Sequence, residues 1–408
     1  MKHIVLLGDG MADHPLPELQ GKTPLQAART SHMDRIAAEG TLGLIDTIPA
    51  GLTPGSDVAN LSVLGYDPTV YHTGRAPLEA ASMGVSLASD DVAFRCNLVT
   101  LGEAAETPME DFTAGHISSE EARRIVEDLD TELGSPEIRF YPGVGYRHLM
   151  VYRGGPVSLE TTPPHDITGR PSGDYLPKGK GSEEILRLME RSRDILRNHP
   201  VNRERMAKGK KTSDSIWLWG EGRAPAMEPI TTRYGIRGGI ISAVDLLRGI
   251  GIYAGLKVLS VEGATGYTDT NYRGKADRAL AYLEDGDFVF LHVEAPDEMG
   301  HEGNIEGKIQ AIEDFDREVV GTVLAGIGAL GDFRVLVLSD HPTPIELKTH
   351  SSDPSPFAVL SSVTGENMGK GIPYTEVSAG DTGIVVSPGH LLMDWFMKDW
   401  RGFIEEKG

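Results

Sequence analysis

Apolar residues recur along this chain in short unbroken runs, each closed by turn-forming residues. Ile4-Val-Leu-Leu7, Phe288-Val-Phe-Leu291 and Val335-Leu-Val-Leu338 are the clearest. Continuous apolar runs of this length predict strands buried on both faces, as in a parallel sheet. Further strands are expected at 43–48, 94–101, 138–141, 148–152, 216–219, 257–261, 357–360 and 384–386. Between them lie segments with helical spacing: 25–40, 118–133, 183–198, 240–250, 275–283, 305–326 and 391–400. The second of these opens with the capping box Ser118-Ser-Glu-Glu121. The basic run Arg203 to Lys211 reads as a solvated turn.

Strand and helix alternate before about residue 90 and after about 235, but not between. That pattern predicts an α/β fold. A doubly wound, mostly parallel sheet should form from residues 1–90 and 235–408, interrupted by a smaller α+β insert at 91–234. A chain of 408 residues has ample material for two such domains.

Chemistry gathers where the strands end. The first run leads into Asp9, the second into Glu294-Ala-Pro-Asp297-Glu-Met-Gly-His301, the third into Ser339-Asp340-His341, and His350 follows nine residues later. Ligands of open α/β sheets bind beyond the carboxyl ends of the strands. Asp297 and His301 are four apart, so one helical turn puts both on one face. Any single Asp at a strand end is commonly a helix cap. Six such residues in a recurring arrangement point instead to a mixed oxygen and nitrogen ligand set for divalent metals. Mn2+ or Zn2+ suits it better than Mg2+. Two ions sharing a site lie roughly 3.5–4 Å apart. Two acids and one His for one ion, and one acid and two His for the other, would serve both, with Ser56 added.

Ser56, in Thr53-Pro-Gly-Ser56-Asp57, stands where a helix cap would. It is also a candidate nucleophile, because a metal on its oxygen would lower its pKa and activate it. A helix N-terminus there would favour a phosphate.

Composition narrows the field. The formal net charge of −21 disfavours nucleic acid as a partner. An anionic substrate would need a local group of Arg and His. The single Cys96 excludes an intrachain disulfide and suits a reducing cytoplasm. The apolar run near the start is too short for a signal peptide. The apolar stretch 238–259 carries Asp245, Arg248 and Lys257, so it is not read as a membrane span. Neither a Walker A motif nor a Gly-x-Gly-x-x-Gly after a strand occurs.

Several motifs together resemble the alkaline phosphatase superfamily. They are closest to its cofactor-independent phosphoglycerate mutases of the archaeal type. They are Gly8-Asp9-Gly10, Thr53-Pro-Gly-Ser56-Asp57, Gly65-Tyr-Asp-Pro, Gly74-Arg75-Ala-Pro, Asp111-Phe-Thr-Ala-Gly-His116, Pro163-Pro-His-Asp-Ile-Thr-Gly, Gly263-Ala-Thr-Gly266, the Glu294 to His301 stretch and Ser339-Asp-His341. The resemblance spans nearly the whole chain. It implies an isomerase that interconverts 3-phosphoglycerate and 2-phosphoglycerate, a small phosphorylated acid. It implies Asp9, Ser56, Asp340 and His341 around one ion, and Asp297, His301 and His350 around the other. Ser56 would be phosphorylated in turnover. The insert would be a lid gripping substrate through His116, with Arg147 and Arg223 added because a guanidinium fork suits phosphate and carboxylate. One position departs: Asn60 stands where many archaeal members have His. A related branch has been proposed to act on homoserine. That leaves a phosphotransferase for a small alcohol, or a phosphomonoesterase, as the alternative enzyme. A silent metal-binding regulator is the alternative outside catalysis.

Overall fold

The computed structural model describes residues 1–102 and 107–407. They form two compact units, Met1–His72 with Ala226–Gly408, and Thr73–Pro225. The second unit starts earlier than the expected 91. The helix Arg75–Ser82 packs its alanines Ala76 and Ala80 against Ala93 and Leu149 of that unit's sheet.

The first unit is built on an eight-stranded sheet. Its order is Val385–Val386, Thr41–Ile45, Ser355–Ser361, Phe333–Leu338, Lys2–Gly8, Phe288–Val293, Gly238–Ile241 and Lys257–Val258. Ser355–Ser361 runs antiparallel to both neighbours, and the other pairings are parallel. His3 to Gly8, Phe288 to Val293 and Arg334 to Leu338 are buried throughout. Both faces of these central strands are therefore covered, which is why their sequences do not alternate. The mostly parallel α/β sheet expected from the sequence is what forms.

The second unit holds a five-stranded antiparallel sheet. Its order is Met109–Asp111, Asp91–Leu101, Arg147–Arg153 and Ile138–Tyr141, with Ser215–Gly222 also paired to Asp91–Leu101. The helices Ser119–Leu133 and Ser182–Arg197 bury their apolar faces in its core, among them Ile125, Leu129, Ile185 and Leu188. Ser118 caps the first of these helices through the expected box with Glu121.

Four elements differ from the sequence reading. The expected helix 25–40 is two, Pro24–Ala27 and Ser31–Glu39, because the Asp316 carboxylate takes the His32 and Met33 amides at the second start. The expected helix 240–250 begins as the strand Gly238–Ile241, and only Asp245–Tyr253 is helical. A Cβ on Gly238 would lie 2.4 Å from Leu256, so glycine lets that strand approach its neighbours. Residues 305–326 form one continuous run whose middle, Phe315–Val320, widens to a π-helical turn. The basic run is a solvated turn only in part: Lys208 to Lys211 are exposed and follow the helix Pro200–Ala207, whose Arg205 is buried. Among the described residues no helix is long and apolar enough to cross a membrane.

Candidate metal centre

Parallel register brings the chemistry together. Gly8 lies opposite Val293, and Leu7 opposite Leu338. The residues just beyond those strand ends are Asp9, Glu294, and Ser339 to His341. Helix Ala295–Glu302 starts at once, with Pro296 in its first turn, and its first two turns carry Asp297 and His301. Ser56 is the first residue of helix Ser56–Val63. Gly55, not Ser56, is its cap, so the capping role read from the sequence is not the one it takes. Its hydroxyl is free to face the strand ends instead.

Asp9, Asp340 and His341 form one group, with a ligand atom from each within 4.8 Å of the others. His341 Nε2 lies 3.4 Å from Asp9 Oδ1, 3.5 Å from Asp340 Oδ2 and 3.2 Å from Ser56 Oγ. Asp340 is held from three sides. The Gly10 and His341 amides donate to Oδ1 at 3.1 and 3.0 Å, and Asn60 Nδ2 donates to Oδ2 at 2.8 Å. The same Asn60 amide donates to the Ser56 carbonyl at 2.9 Å. At position 60 a neutral donor thus joins the Ser56 backbone to Asp340.

Asp297, His301 and His350 form the second group, within the same 4.8 Å. His301 Nε2 is 3.2 Å from Asp297 Oδ2 and 3.1 Å from His350 Nε2. His301 Nδ1 donates to the Lys348 carbonyl at 3.0 Å, so Nε2 is the ring nitrogen that faces the group. The Thr343 hydroxyl donates to Asp297 Oδ1, and His341 Nδ1 faces it at 3.3 Å. That assignment turns His341 Nε2 towards Asp9, Asp340 and Ser56. Thr343 thus links the two groups.

Asp9, His292 and Glu294 make a third cluster. His292 Nε2 sits 2.8 Å from Asp9 Oδ2 and 3.1 Å from Glu294 Oε2, and its Nδ1 faces Ser242 Oγ at 3.0 Å. Sequence reasoning passed over His292 and Glu294. The signal was present: a histidine inside an otherwise apolar central strand needs polar partners when buried.

Four carboxylates in a buried space strain one another. Burial, then Asp340, Glu294 and Asp297, push the Asp9 carboxyl well above its ordinary range. No hydrogen-bond donor reaches buried Asp9 Oδ1. Burial would also raise Asp297, but the His301 hydrogen bond and the His341 and His350 rings hold it well below the usual carboxylate range. The hydrogen bond to Asp297 pushes His301 up to about 9. Burial, with the His341 ring beside it, pulls His350 down to about 4. Buried like charges are costly unless a countercharge joins them. The unpaired Asp9 oxygen beside Asp340 and His341, and the Asp297 carboxylate beside two imidazoles, are donor sets that fit divalent cations.

All seven ligand candidates lie in the first unit and converge: Asp9, Ser56, Asp340 and His341 on one side, Asp297, His301 and His350 on the other. The three substrate candidates lie in the second unit, and all are exposed. His116 ends a turn in which its amide donates to Thr113 Oγ1 at 3.0 Å. Arg147 stands 5.5 Å over the Tyr146 ring, and the Arg223 carbonyl accepts from Thr73.

Comparison with known proteins gives a consistent result. A family profile described as 2,3-bisphosphoglycerate-independent phosphoglycerate mutase matches residues 37–202. A Geobacter sulfurreducens protein named as a probable enzyme of that kind is 56% identical over 398 residues, covering 97% of this chain and 100% of its own. A Methanosarcina barkeri protein of the same name is 54% identical, covering 94% of this chain and 97% of its own. Among solved structures, a Pyrococcus horikoshii protein superposes with a TM-score of 0.81 at 30% identity, covering 98% of this chain and 97% of its own. The cofactor-independent phosphoglycerate mutase of Thermoplasma acidophilum superposes with a TM-score of 0.67 at 26% identity, covering 98% and 99%.

Proposed function

This chain belongs to the 2,3-bisphosphoglycerate-independent phosphoglycerate mutases, and from that premise we propose how its residues move a phosphoryl group between the two hydroxyls of glycerate. It is an enzyme, and its substrate is a small phosphorylated acid. The relatives do not favour a homoserine phosphotransferase or a simple phosphomonoesterase.

The observation that carries the mechanism is the place of Ser56. Its hydroxyl lies 3.2 Å from His341 Nε2, beside Asp9 and Asp340, at the first turn of a helix. A helix N-terminus favours a phosphate at that point. Asp9, Ser56, Asp340 and His341 would hold one divalent ion and Asp297, His301 and His350 a second, Mn2+ or Zn2+ by their mixed donors. Such ions supply positive charge to phosphoryl oxygens and lower the pKa of a serine hydroxyl.

Ser56 Oγ attacks phosphorus in line, and the bond to the C3 oxygen of 3-phosphoglycerate breaks. The proton lost by Ser56 is balanced by the one the departing glycerate oxygen gains. The products of this half are phosphoserine and glycerate. The C2 hydroxyl then attacks the phosphoserine, and Ser56 recovers its proton as 2-phosphoglycerate forms. Asn60 keeps Asp340 and the Ser56 backbone in fixed relation through both halves. The second unit serves as a lid that grips substrate through His116, Arg147 and Arg223, whose cationic or donor ends suit phosphate and carboxylate. By excluding water it favours transfer over hydrolysis. The single buried Cys96, which has no second cysteine to pair with, supports a cytoplasmic location.

Ser56→Ala tests this reading. It should retain most metal binding, because the Asp and His donors remain, and lose isomerisation entirely. The measurement is 2-phosphoglycerate formation through an enolase-coupled assay, with free phosphate read in parallel and labelled phosphoenzyme trapped by acid quench. Normal isomerisation by Ser56→Ala would end the mechanism.

A further inference from the structure

Lys308 is fully buried on helix Ile305–Asp314, and the mechanism above gives it no part. Its ammonium has three protons and three acceptors. It donates to the Ala12 carbonyl at 3.1 Å, to the Thr343 carbonyl at 2.9 Å and to Asp13 Oδ2 at 2.7 Å. Those acceptors sit on two different loops. Ala12 and Asp13 belong to the loop that starts with Asp9. Thr343 belongs to the loop that carries Asp340 and His341. Lys308 itself stands in the first turn of the helix after Ala295–Glu302, which carries Asp297 and His301. Every segment that presents a ligand candidate, Ser56 and His350 apart, is tied to this one nitrogen or to the helix that bears it.

The neighbourhood transmits the tie. Asp13 Oδ1 also accepts from the His14 amide at 2.8 Å and the Ile345 amide at 3.2 Å. The Thr343 amide donates to the Ala12 carbonyl at 3.2 Å, so both loops share that oxygen with Lys308. The Thr343 hydroxyl in turn donates to Asp297 and faces His341. There is no slack between the parts. A Cβ on Gly10 would lie 2.4 Å from Asp297 Oδ1 and 2.5 Å from Thr343 Oγ1, and one on Gly300 would lie 2.6 Å from the Thr343 carbonyl. A shift of the loop after the first strand must therefore move Asp297 and Thr343 as well.

We propose that Lys308, paired with Asp13, is the positioning residue that sets the spacing between the Asp9–Asp340–His341 group and the Asp297–His301–His350 group. This rests on the two-ion reading given above. Lys308 touches neither substrate nor the reacting atoms in this assignment; it acts through the loops it joins.

The test uses the full chain loaded with Mn2+. Two Mn2+ ions at roughly 3.5–4 Å interact magnetically, whereas well-separated ions give independent signals. Removing Lys308 alone would strand the Asp13 charge and risk unfolding, so the pair is replaced together. Lys308→Met with Asp13→Leu removes both charges, a change that buried pairs often tolerate. Lys308→Gln with Asp13→Asn keeps neutral hydrogen bonding and serves as the partial rescue. Each variant is first checked by near-UV circular dichroism and cooperative melting without metal.

The expected result for the apolar pair is a folded protein whose Mn2+ affinity, by calorimetric titration, falls about 10–100-fold. Its electron paramagnetic resonance spectrum should lose the coupled-pair signature, and kcat should fall more than KM rises. The Gln/Asn pair should recover part of both signals. A folded Met/Leu variant with the wild-type spectrum and wild-type titration overturns the proposal. A wild-type protein that binds fewer than two Mn2+, or shows no coupling, overturns the two-ion reading and this proposal with it. The wild-type measurement alone separates the two failures.

Discussion

Arg205 offers the sharpest stability test, because its basic run reads from sequence as exposed and its side chain is buried. It is 1% exposed. Nε donates to the Lys211 carbonyl at 2.8 Å, Nη1 to Glu121 Oε2 at 2.7 Å, and Nη2 to the carbonyls of Ala114 at 2.8 Å and Gly115 at 3.1 Å. The perturbation is Arg205→Met, which keeps most of the stem volume and removes every donor. Breaking a buried charge pair by removing one partner costs about 3–5 kcal/mol. Glu121 keeps 21% of its side chain exposed and still accepts from the Ser118 hydroxyl, so its charge can rehydrate. That argues for the lower end, about 3 kcal/mol. For a unit of roughly 150 residues this lowers the melting temperature by about 6–12 °C.

A second effect is local. Ala114, Gly115 and His116 sit consecutively at φ of 49°, 65° and 47°. Left-handed backbone of this kind costs about 1 kcal/mol or more at each non-glycine residue and persists only when its surroundings hold it. Arg205 grips two of those three carbonyls. Releasing them should let the turn relax and raise KM, if His116 grips substrate as proposed. Unfolding can be followed by tryptophan fluorescence, since Trp217 and Trp219 lie in this unit's core. Arg205→Lys, a single-point donor, should fall between the two. A loss below about 1 kcal/mol for Arg205→Met would refute the reasoning, since it would show that water replaces the guanidinium without cost.

Three further outcomes are expected. Burial, then the Arg334 charge, lowers His3 to about 4 from 6.5, so the unfolded chain binds its proton first. Stability from this group is present above pH 6.5 and is lost as pH falls towards 4, by up to about 3 kcal/mol, and melts of His3→Leu should show a flatter acid limb. Asn60→Ala removes the donor to Asp340 and to the Ser56 carbonyl, and should weaken Mn2+ binding about tenfold or more by calorimetry; unchanged affinity would show that Asp340 needs no such support. Chelation should abolish isomerisation and lower the melting temperature, and Mn2+ at about 100 times its Kd should restore roughly 2.7 kcal/mol; a melt indifferent to Mn2+ would contradict binding to the native carboxylate cluster.

The sheet was legible because its central strands are apolar without alternation, and only burial on both faces explains that in His3 to Gly8 or Phe288 to Val293. The helix boundaries were less so. The break at 28–30 depends on Asp316, nearly three hundred residues further along, taking the amides of His32 and Met33. No local propensity records that. Arg205 was misread for the same reason. A run of Arg and Lys is normally solvated, and the carbonyls of Ala114 and Gly115 that bury it come from a distant turn.

The candidate centre divides along the same line. Residues that present a charge at a strand end announce themselves, and Asp9, Asp297, His301, Asp340 and His341 do stand together. Residues that aim those charges do not. Thr343 is an ordinary loop threonine in sequence, yet its hydroxyl joins Asp297 to His341. Lys308 looks like a surface lysine on an amphipathic helix, yet no water reaches it. Asn60 shows why this matters for function. Read alone, it is a missing histidine and a reason to move the substrate. In place, it is an uncharged donor that holds Asp340 to the Ser56 backbone at every pH. A histidine there could do the same in one protonation state only. Asn60 therefore bears first on how Ser56 and its neighbouring carboxylate are held, and gives no independent ground for reassigning the substrate.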